Sequence, residues 1–324
     1  MIMVMKKYII NFAKKHLSFA SPITTFYYAL RAIIRLGIWR YIKIKSRNSA
    51  PPHDCPHFLT IIACAKDEGA NIIEWIEFHR IIGVDKFIIY NNNGTDNTHD
   101  IIAPYIKSGL VEYIDWPGAG QQMPIYVDGL LRVEQNTKWA AFIDLDEFIM
   151  PVKFDNLSDY MNSLPVRTAQ VYLGWANFGA NGHDVRPDGL VLENYTKSIP
   201  LSTVGKTIVN PRAVIGLCNP HVFIVNGKTV DADGKLFGMF DWHGKISVKS
   251  SRGLPLGTIR CNHYQTKSRA EFLSKLHRGN ASTGNRDRAV RKFSEQRFND
   301  ICARATSDDG HALRFIPELK KRIK

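Results

Sequence analysis

The first fifty residues of this 324-residue chain contain no aspartate and no glutamate, although they hold ten lysines and arginines. Most of the formal net charge of +13 therefore belongs to an N-terminal arm, residues 1–50. The arm also lacks an apolar run that could cross a bilayer. Its longest stretch without lysine or arginine, His16 to Leu30, is too short and too polar for a spanning helix. No cleavage site of the Ala-x-Ala kind follows an apolar core, so the arm does not resemble a signal peptide.

The arm does contain alternating apolar and basic patches, interrupted by Pro22. This pattern predicts a basic amphipathic helix that lies on an anionic membrane surface. A solvated basic helix packed on the rest of the chain fits the same pattern equally well. Nucleic acid is a weaker partner, because zinc-finger spacing, a helix-turn-helix pattern and an aromatic RNA-binding motif are all missing.

Cysteine is scarce, and no two cysteines form a C-x-x-C pair. The five are odd in number and widely spaced, at positions 55, 64, 218, 261 and 302. This usage indicates reduced thiols rather than a disulfide framework, and so a reducing compartment. Together with the basic arm it predicts a cytoplasmic protein on the inner face of a membrane.

The rest of the chain divides by composition, and it lacks internal repeats and low-complexity tracts. Residues 51–57 belong to the proline-rich joint SAPPHDCPHF and are predicted to be a linker. Residues 58–300 are predicted to form one folded domain, with halves at 58–150 and 151–280. Residues 301–324 are predicted to be a basic C-terminal tail.

The first half alternates short β-rich apolar runs with helical patterns. The runs FLTIIACA, KFIIYNNN, LVEYID and WAAFIDLDEF are typical of strands, and the segments between them of helices. This order predicts an α/β fold whose mostly parallel sheet carries helices on both faces, as in a Rossmann-like nucleotide-binding layer.

After Leu157 the pattern changes to mixed strands and turns, which we interpret as the half that receives a second substrate. One predicted element there is a hairpin in FIVNGKTVDADG, because Asn226-Gly227 favours a type I′ turn.

Polar clusters follow three of the predicted strands. They are Lys66, Asp67 and Glu68 after the first strand, 91–96 after the second, and 144–147 after the fourth. Ligands of such sheets bind outside the carboxyl ends of the strands, so these clusters are expected to meet at one ligand site.

The stretch WAAFIDLDEFIM places Asp144, Asp146 and Glu147 among apolar residues, where an unpaired carboxylate would be costly to bury. If the strand continued, the two aspartates would share one face, the spacing that holds a hard divalent cation. Such a cation could neutralise the charge of a nucleotide diphosphate. A capping role at a turn is the alternative for both acids.

Several blocks of the sequence, taken in order, resemble glycosyltransferase family 92 and its bacterial relatives in the broad family-2-like group. The resemblance covers roughly residues 58–280. It rests on AKDEGANIIEWIEFHRIIGVDKFIIYNNNGTDNT, QQMPIYVDGLL, WAAFIDLDEFIM, WANFGANGH, GKTIVNPRAV and HYQTKSRAEFLSKLHRG. It implies a GT-A fold, a D-x-D motif, a nucleotide-sugar donor and usually Mn²⁺, with Mg²⁺ as the other hard cation.

For the cation, the resemblance makes Asp146 the main metal ligand, with Asp144 turned to the ribose or to a metal-bound water. His263 stands where such enzymes often supply a late metal ligand, although a structural histidine is the alternative. Lys267 and Arg278 could meet the donor diphosphate, although Arg278 fits an ordinary basic helix face slightly better.

For the donor, the resemblance implies that the loops after the first two strands hold the nucleoside. The expected donor-binding residues are Lys66, Asp67, Glu68, Asn91, Asn92, Gln122, Asp128, Asp144 and Lys267. Asn91 and Asn92 replace aspartates that read the base in many relatives. Asp96 is expected to cap the next helix, and Glu74 and His79 to pack or pair on the surface of the first helix.

For the acceptor, WANFGANGHD offers Trp175 and His183 as a platform for a sugar ring, followed by Asp184. We interpret Asp184 as the catalytic base of an inverting reaction, with Glu193 and Asp241 as its rivals. Trp242 is a further candidate for stacking on a sugar.

The sequence thus predicts a metal-dependent transferase that moves a sugar from a nucleotide sugar, in particular a UDP-sugar, to a saccharide or lipid-linked acceptor. Surface polysaccharide or glycan synthesis is the expected setting. Two alternatives remain open: a nucleotidyl- or phosphotransferase on the same scaffold, and a non-catalytic protein that binds a membrane surface.

Overall fold

The structure is a computed structural model, and it describes residues 55–237, 253–278 and 294–324. The N-terminal arm and residues 51–54 of the predicted linker lie outside these described residues, so the predictions for them stay predictions. None of the helices in the described ranges combines the length and the apolar character needed to cross a membrane.

The strands of the described residues, in chain order, are β1 (His57–Ala65), β2 (Lys86–Asn91), β3 (Val111–Asp115), β4 (Thr137–Phe142), β5 (Glu147–Pro151), β6 (Thr168–Asn177), β7 (Lys197–Ser198), β8 (Gly205–Val209), β9 (Val214–Asn219), β10 (Val222–Val225), β11 (Lys228–Asp231), β12 (Ile259–His263) and β13 (Ser307–Asp308). The α-helices are α1 (Gly69–Ile81), α2 (Thr98–Lys107), α3 (Gln122–Val133), α4 (Leu157–Asn162), α5 (Val191–Asn194), α6 (Arg269–Arg278), α7 (Glu295–Arg304) and α8 (Ile316–Ile323).

One large sheet dominates the described part of the chain. Its strand order is β3-β2-β1-β4-β8-β6-β12-β5, and β11 pairs with β6 beside β12. The pairings make β1, β2, β3, β4, β6, β11 and β12 run in one direction, with β8 and β5 opposed. The predicted mostly parallel sheet is therefore confirmed.

Helices cover both faces of this sheet because its central strands are apolar on both sides. On one face, α1 buries Trp75 and Ile76 against a core that includes Ile61. On the other, α3 buries Tyr126 and Leu130 against a core that includes Ile62. Each large apolar side chain that is fully buried in this way stabilises the fold by roughly 1.5–3 kcal/mol.

The predicted hairpin at Asn226-Gly227 is wrong, although both of its strands exist. Strand β10 pairs antiparallel with β9, whereas β11 joins the large sheet parallel to β6. Gly227, at φ 149°, lies where an added Cβ would come within 2.5 Å of Ala169 Cβ. The chain therefore crosses tightly over the start of β6 instead of folding back on itself.

The segment predicted as a C-terminal tail packs against the domain. Helix α8 lies on α1 and buries Leu319 completely. Arg260 of β12 forms a buried ion pair with Asp309, at 2.5 Å, and Arg314 donates to the backbone oxygens of Pro151 and Phe154. Residues 301–324 are thus held to the sheet at several points.

Candidate active site

The candidate site lies where the strand directions bring several chain segments to one edge of the sheet. The carboxyl ends of β4, β6 and β12 meet there with the first residues of the reversed strands β5 and β8. Asp144 and Asp146 follow β4, His263 ends β12, and Lys206 lies at the start of β8. This is the edge at which open α/β sheets bind ligands.

The acidic run is a tight turn rather than a continued strand. Strand β4 ends at Phe142, and the Glu147 amide then donates to the Asp144 carbonyl at 3.0 Å. The Glu147 carboxylate accepts in turn from the Asp144 amide at 2.9 Å. Glu147 therefore closes the turn, and the two aspartates leave it in different surroundings.

Asp144 is engaged by protein donors on both carboxylate oxygens. Oδ2 lies 3.0 Å from Lys206 Nζ. Oδ1 accepts from Gln122 Nε2 at 3.2 Å and from the Tyr126 hydroxyl at 3.5 Å. Burial on its own would raise the pKa of the Asp144 carboxyl, but the charge and hydrogen bond of Lys206, together with the charge of His263, hold that pKa below its ordinary value. The side chain keeps about a third of its surface exposed, at 35%.

Lys206 is the internal cation of this cluster, and Glu147 is its second partner, with Oε2 3.4 Å from Nζ. The lysine is fully excluded from solvent. Burial opposes its charge, yet Asp144 and Glu147 together raise its pKa well above the ordinary value. Burial raises the pKa of Glu147 well above its ordinary value, even beside this lysine.

Asp146 faces a second lysine and a histidine. Its Oδ2 lies 2.9 Å from Lys275 Nζ, and its Oδ1 lies 3.6 Å from His263 Nε2. Burial would raise the pKa of Asp146, but Lys275 and His263 hold it well below the ordinary value. Asp146 is therefore ionised at neutral pH.

Sheet register places His263 against Asp146. Strand β12 lies between β5 and β6, and His263 is paired with Glu147 on one side and with Asn177 on the other. Asn177 Oδ1 lies 3.0 Å from His263 Nδ1. Because that oxygen only accepts, Nδ1 carries the proton, and Nε2 is the ring nitrogen presented to Asp146.

Lys267 is a buried lysine whose ammonium group pairs with no acid among the residues that the structure describes. It is 5% exposed, its backbone is left-handed at φ 48°, and no residue in the described ranges forms a hydrogen bond or ion pair with Nζ. Burial lowers the pKa of Lys267, while Glu68 and Asp146 are among the acids whose charges oppose that shift. An unpaired buried cation in a strained backbone is costly, which favours a role in binding an anion.

Trp175 lies between two imidazoles at the same edge. Its ring centroid is 4.5 Å from that of His263 and 5.1 Å from that of His221. The indole Nε1 is buried and has no acceptor among the described residues. His221 Nδ1 donates to the Gly205 carbonyl at 2.9 Å, and burial together with Lys206 lowers the pKa of His221 to about 4. His221 is therefore neutral near pH 7.

The predicted nucleoside loops are close together, and several of their side chains bind one another. Asp67 Oδ1 accepts from the Thr95 amide at 2.6 Å. Asn91 donates to Asp115 at 2.9 Å, and the buried Asn92 donates to the Trp116 and Gly118 carbonyls at 2.7 and 2.9 Å. Lys66 and Glu68 flank Asp67 in this loop, the second of them directly before α1.

Three predictions for nearby helix residues have different outcomes. The N-cap residue of α2 is Asn97 rather than Asp96, but the Asp96 carboxylate accepts from the Thr98 amide in the first turn and from the Gly69 amide. Glu74 and His79 are not on the surface of α1, because both side chains are buried. The Asp128 carboxylate bonds Tyr90 and Arg132, at 2.5 and 2.6 Å, and within the described residues no hydrogen bond joins it to the acidic turn.

The predicted acceptor residue His183 and the predicted base Asp184 lie beside the start of α6. The carbonyls of His183 and Asp184 accept the amides of Arg269 and Ala270. The Asp184 carboxylate is 81% exposed and pairs with Arg269 at 3.1 Å. Lys275, which contacts Asp146, lies five residues beyond Ala270, or about 7.5 Å along the helix. Of the two rivals of Asp184 as the base, Glu193 pairs with Lys320 at 2.6 Å, and Asp241 lies outside the described residues. Trp242 and the side chain of Arg278 also lie outside them.

The side chains around Asp146 determine whether the site could hold the predicted divalent cation. Across residues 55–237, 253–278 and 294–324, no group of three or more His, Cys, Asp and Glu side chains is arranged to hold a metal ion. Asp146 and His263 supply two suitable ligand atoms 3.6 Å apart, with the imidazole oriented by Asn177. Mn²⁺ and Mg²⁺ commonly take few protein ligands and complete their shell with phosphate and water. The two residues fit a cation that arrives with phosphate.

Five of the described residues at the site were not predicted from the sequence: Lys206, Lys275, His221, Asn177 and Tyr126. Lys206 and Lys275 lie inside blocks that carried the family resemblance, GKTIVNPRAV and HYQTKSRAEFLSKLHRG. A lysine in each block was the available signal, but in isolation both lysines looked like ordinary surface charges.

The family follows from a comparison of the whole sequence with known families. A model described as "Glycosyltransferase family 92" matches residues 62–283, which is more than half of the chain. The chain belongs to glycosyltransferase family 92. For a family 92 member, the mostly parallel sheet with helices on both faces is the GT-A fold that the resemblance implied.

Curated family 92 proteins of plants are among its relatives. One from Ricinus communis is 29% identical over 164 residues, 49% of this chain and 30% of that protein. One from Arabidopsis thaliana is 23% identical over 280 residues, 81% of this chain and 45% of that protein. The chain thus spans less than half the length of these family 92 relatives.

Solved structures are less similar in sequence to this family 92 chain than the plant proteins are. Staphylococcus aureus TarS 1–349 is 12% identical, with 76% of this chain and 70% of that chain covered and a TM-score of 0.37. The same protein in complex with UDP is 11% identical, with 75% and 70% covered and a TM-score of 0.35.

Proposed function

We propose that this chain is a metal-dependent glycosyltransferase that moves a sugar from a UDP-sugar to a saccharide or lipid-linked acceptor. The observation that carries this proposal is a pair of complementary features at one sheet edge. Asp146 and His263 present two cation ligands 3.6 Å apart, and Lys267, which has no ion-pair partner in the described part of the chain, is buried close enough to act on the Asp146 charge. A cation position beside an anion position suits a metal–diphosphate group.

Asp146 and His263 would hold Mn²⁺ or Mg²⁺. When bound, the cation would supply charge neutralisation for the diphosphate that leaves the sugar. Asp144 has a different proposed role, because Lys206, Gln122 and Tyr126 already hold its carboxylate. Its partly exposed surface would face the ribose or a metal-bound water.

In the proposed inverting transfer, an acceptor hydroxyl forms a bond to the anomeric carbon as the bond from that carbon to the diphosphate oxygen breaks. Lys267 would stabilise the negative charge that develops on the departing diphosphate. Asp184 would accept the hydroxyl proton; the proposal is supported by the bond from the Ala270 amide to the Asp184 carbonyl, because α6 also carries Lys275, the partner of Asp146. Trp175 and His183 would contact the acceptor sugar.

The donor nucleoside would lie against the loops after β1 and β2. Gln122 reaches Asp144 and therefore the site itself. Lys66, Asp67, Glu68, Asn91 and Asn92 form the neighbouring rim, whose backbone is held by the bonds that Asp67 and Asn92 make. Asp128, bound to Tyr90 and Arg132, would support the rim from behind.

The setting is proposed from the sequence alone. The basic N-terminal arm would hold the enzyme on an anionic membrane surface, on the cytoplasmic face, for surface polysaccharide or glycan synthesis. Co-sedimentation with vesicles that contain anionic lipid, but not with neutral vesicles, is the expected result. Equal recovery in the supernatant with both kinds of vesicle would contradict it.

Calorimetric titration of UDP tests the donor proposal, with Mn²⁺ and then with a chelator. Binding is expected in the wild type with Mn²⁺ and should be lost with the chelator or in Asp146→Asn. Asp155→Asn is the matched control, since the Asp155 side chain is 97% exposed and has no role in the proposed site, and it should keep the affinity. If UDP fails to bind under every condition, the donor proposal falls and a non-catalytic membrane-surface protein becomes the better account.

An assay of sugar transfer distinguishes a glycosyltransferase from a nucleotidyl- or phosphotransferase. With a radiolabelled sugar in the donor, a glycosyltransferase moves the label to the acceptor. A nucleotidyl- or phosphotransferase on the same scaffold would move phosphorus and leave the label behind.

A further inference from the structure

Each carboxylate of the acidic turn already has an ammonium group as its partner. Lys206 Nζ lies 3.0 Å from Asp144 and 3.4 Å from Glu147. Lys275 Nζ lies 2.9 Å from Asp146. The part of the cluster that a divalent cation would use, Asp146, is therefore neutralised in the structure by a residue of the chain.

The Lys275 side chain is buried and fixed in this position by a second contact. Its side chain is 8% exposed, and Nζ also donates to the Gln265 carbonyl at 2.7 Å. Helix α6, which carries it, is held at its start by the bond from the Arg269 amide to the His183 carbonyl. Such an ammonium competes with any cation for Asp146, and a divalent ion at Asp146 and His263 would also repel it at short range.

A diphosphate removes this conflict. It brings negative charge to the same place, and it offers Lys275 new oxygen acceptors in exchange for Asp146 Oδ2. Lys267 provides a second ammonium close by, one that has no counter-ion of its own within the described residues. The two lysines and the cation would then share the charge of one diphosphate.

We propose that Lys275 is an internal counter-ion of Asp146 that blocks binding of the divalent cation alone, so that the cation binds only together with the donor diphosphate. On diphosphate binding, the Lys275 ammonium passes from Asp146 to a phosphate oxygen. This inference rests on the proposed function, because it assigns the binding order at the same site. It adds a residue, Lys275, that couples the cation to the nucleotide.

The test follows free Mn²⁺ by its electron paramagnetic resonance signal during titration of the full chain. In the wild type, Mn²⁺ affinity is expected to rise at least tenfold when UDP is saturating. In Lys275→Met without UDP, Mn²⁺ should bind at least tenfold more tightly than to the wild type. The double variant Lys275→Met/Asp146→Asn should lose that gain.

Lys267→Met is the matched control, since it removes a buried lysine charge from the same site without breaking a contact to Asp146. It should raise the affinity for Mn²⁺ alone by much less than Lys275→Met does. UDP should increase Mn²⁺ affinity less in Lys275→Met than in the wild type, because the coupling residue is gone.

Two results would overturn the inference. One is a wild type that binds Mn²⁺ alone as tightly as with UDP, a comparison that needs no variant to fold. The other is a folded Lys275→Met, or Lys275→Gln in its place, whose Mn²⁺ affinity equals that of the wild type.

Failure of the donor proposal would look different. UDP would then bind no form of the protein, and the Mn²⁺ gain in Lys275→Met would show that the lysine is a counter-ion but that recruitment by diphosphate is wrong.

Discussion

The Lys206 ammonium lies 3.0 Å from Asp144 Oδ2, in a side chain that has no contact with solvent. Its second partner, Glu147, is equally buried. A buried ion pair adds little to stability compared with apolar packing, but removing one member leaves an uncompensated charge that costs about 3–5 kcal/mol. The acidic turn is therefore expected to depend on a residue 62 positions away from Asp144 in sequence.

Lys206→Met should accordingly destabilise the protein by about 3 kcal/mol or more, measured by urea unfolding at pH 7. Lys228→Met is the matched control, since Lys228 is an exposed lysine on a strand of the same sheet, and it should change stability by less than about 0.5 kcal/mol. Adding Glu147→Gln to Lys206→Met should recover part of the loss. Equal stability of the two single variants would contradict the assigned role of Lys206.

His79 predicts a loss of stability in acid. Its Nδ1 donates to the Trp75 carbonyl at 2.8 Å, and its Nε2 accepts the Ile149 amide at 3.2 Å, so the neutral ring links α1 to β5. Burial lowers the pKa of His79 from 6.5 to about 3. The unfolded chain therefore takes up a proton first, and stability falls as pH decreases from 6.5 towards 3, by at most about 1.4 kcal/mol per pH unit.

The measurement for His79 is the free energy of unfolding at several pH values between 7 and 3. His79→Gln should lose stability at pH 7 but should show a smaller further loss in acid than the wild type. His99→Gln, at an exposed histidine, is the control and should follow the wild type. A slope in His79→Gln that equals the wild-type slope would show that other groups cause the acid sensitivity.

The buried Glu74 carboxyl is expected to give a contribution to folding stability with the opposite pH dependence. Its two carboxylate oxygens accept the Val191 and Leu192 amides at 2.8 and 2.9 Å. Burial raises the pKa of Glu74 from 4.5 to about 7 in spite of those bonds. The folded state therefore holds its proton longer than the unfolded state, and this contribution to stability is lost as pH rises from 4.5 through 7. Glu74→Gln should abolish that slope, whereas Glu112→Gln, on a partly exposed side chain, should leave it unchanged.

The sheet and the position of the acids at its edge could be predicted because local patterns determine them, whereas the turn that separates β4 from β5 was not predicted. Alternating apolar runs and helical patterns predict the βαβ units, and acids after an apolar strand predict a site at its carboxyl end. The lysines could not be predicted in the same way, since Lys206 and Lys275 meet the acids only after strands β8 and β12 have joined the sheet. In GKTIV and SKLHRG they look like ordinary surface charges.

The hairpin error has the same cause. Asn226-Gly227 is a good local signal for a tight turn, and Gly227 does take a positive φ. Pairing of β11 with β6 decides the path of the chain, however, and that partner begins about sixty residues earlier. Local turn chemistry predicted the bend correctly but not the strand that receives the chain after it.

The link between the C-terminal segment and β12 predicts a strong effect of a single residue. Asp309 is 8% exposed, and it pairs with Arg260, whose Nε also donates to Asn262. Asp309→Ala would leave the guanidinium buried without a counter-ion and should cost about 3–5 kcal/mol in urea unfolding. Asp308→Ala, at a side chain that is 89% exposed, should be close to neutral. A mild effect of Asp309→Ala would mean that Arg260 finds another partner or water.

Replacing Lys267 is expected to change UDP binding and folding stability in opposite directions. Because its ammonium is buried without a partner in the described residues, Lys267→Met should raise the melting temperature. The same change removes a charge-assisted hydrogen bond to phosphate, about 1.5–3 kcal/mol, so UDP affinity with Mn²⁺ should fall roughly 10- to 100-fold. Lys107→Met, at an exposed helix end, should alter neither quantity. Calorimetric UDP titration and a thermal melt on the same samples measure the two effects. If the Lys267→Met protein is less stable yet binds UDP normally, the lysine is structural and the anion site lies elsewhere.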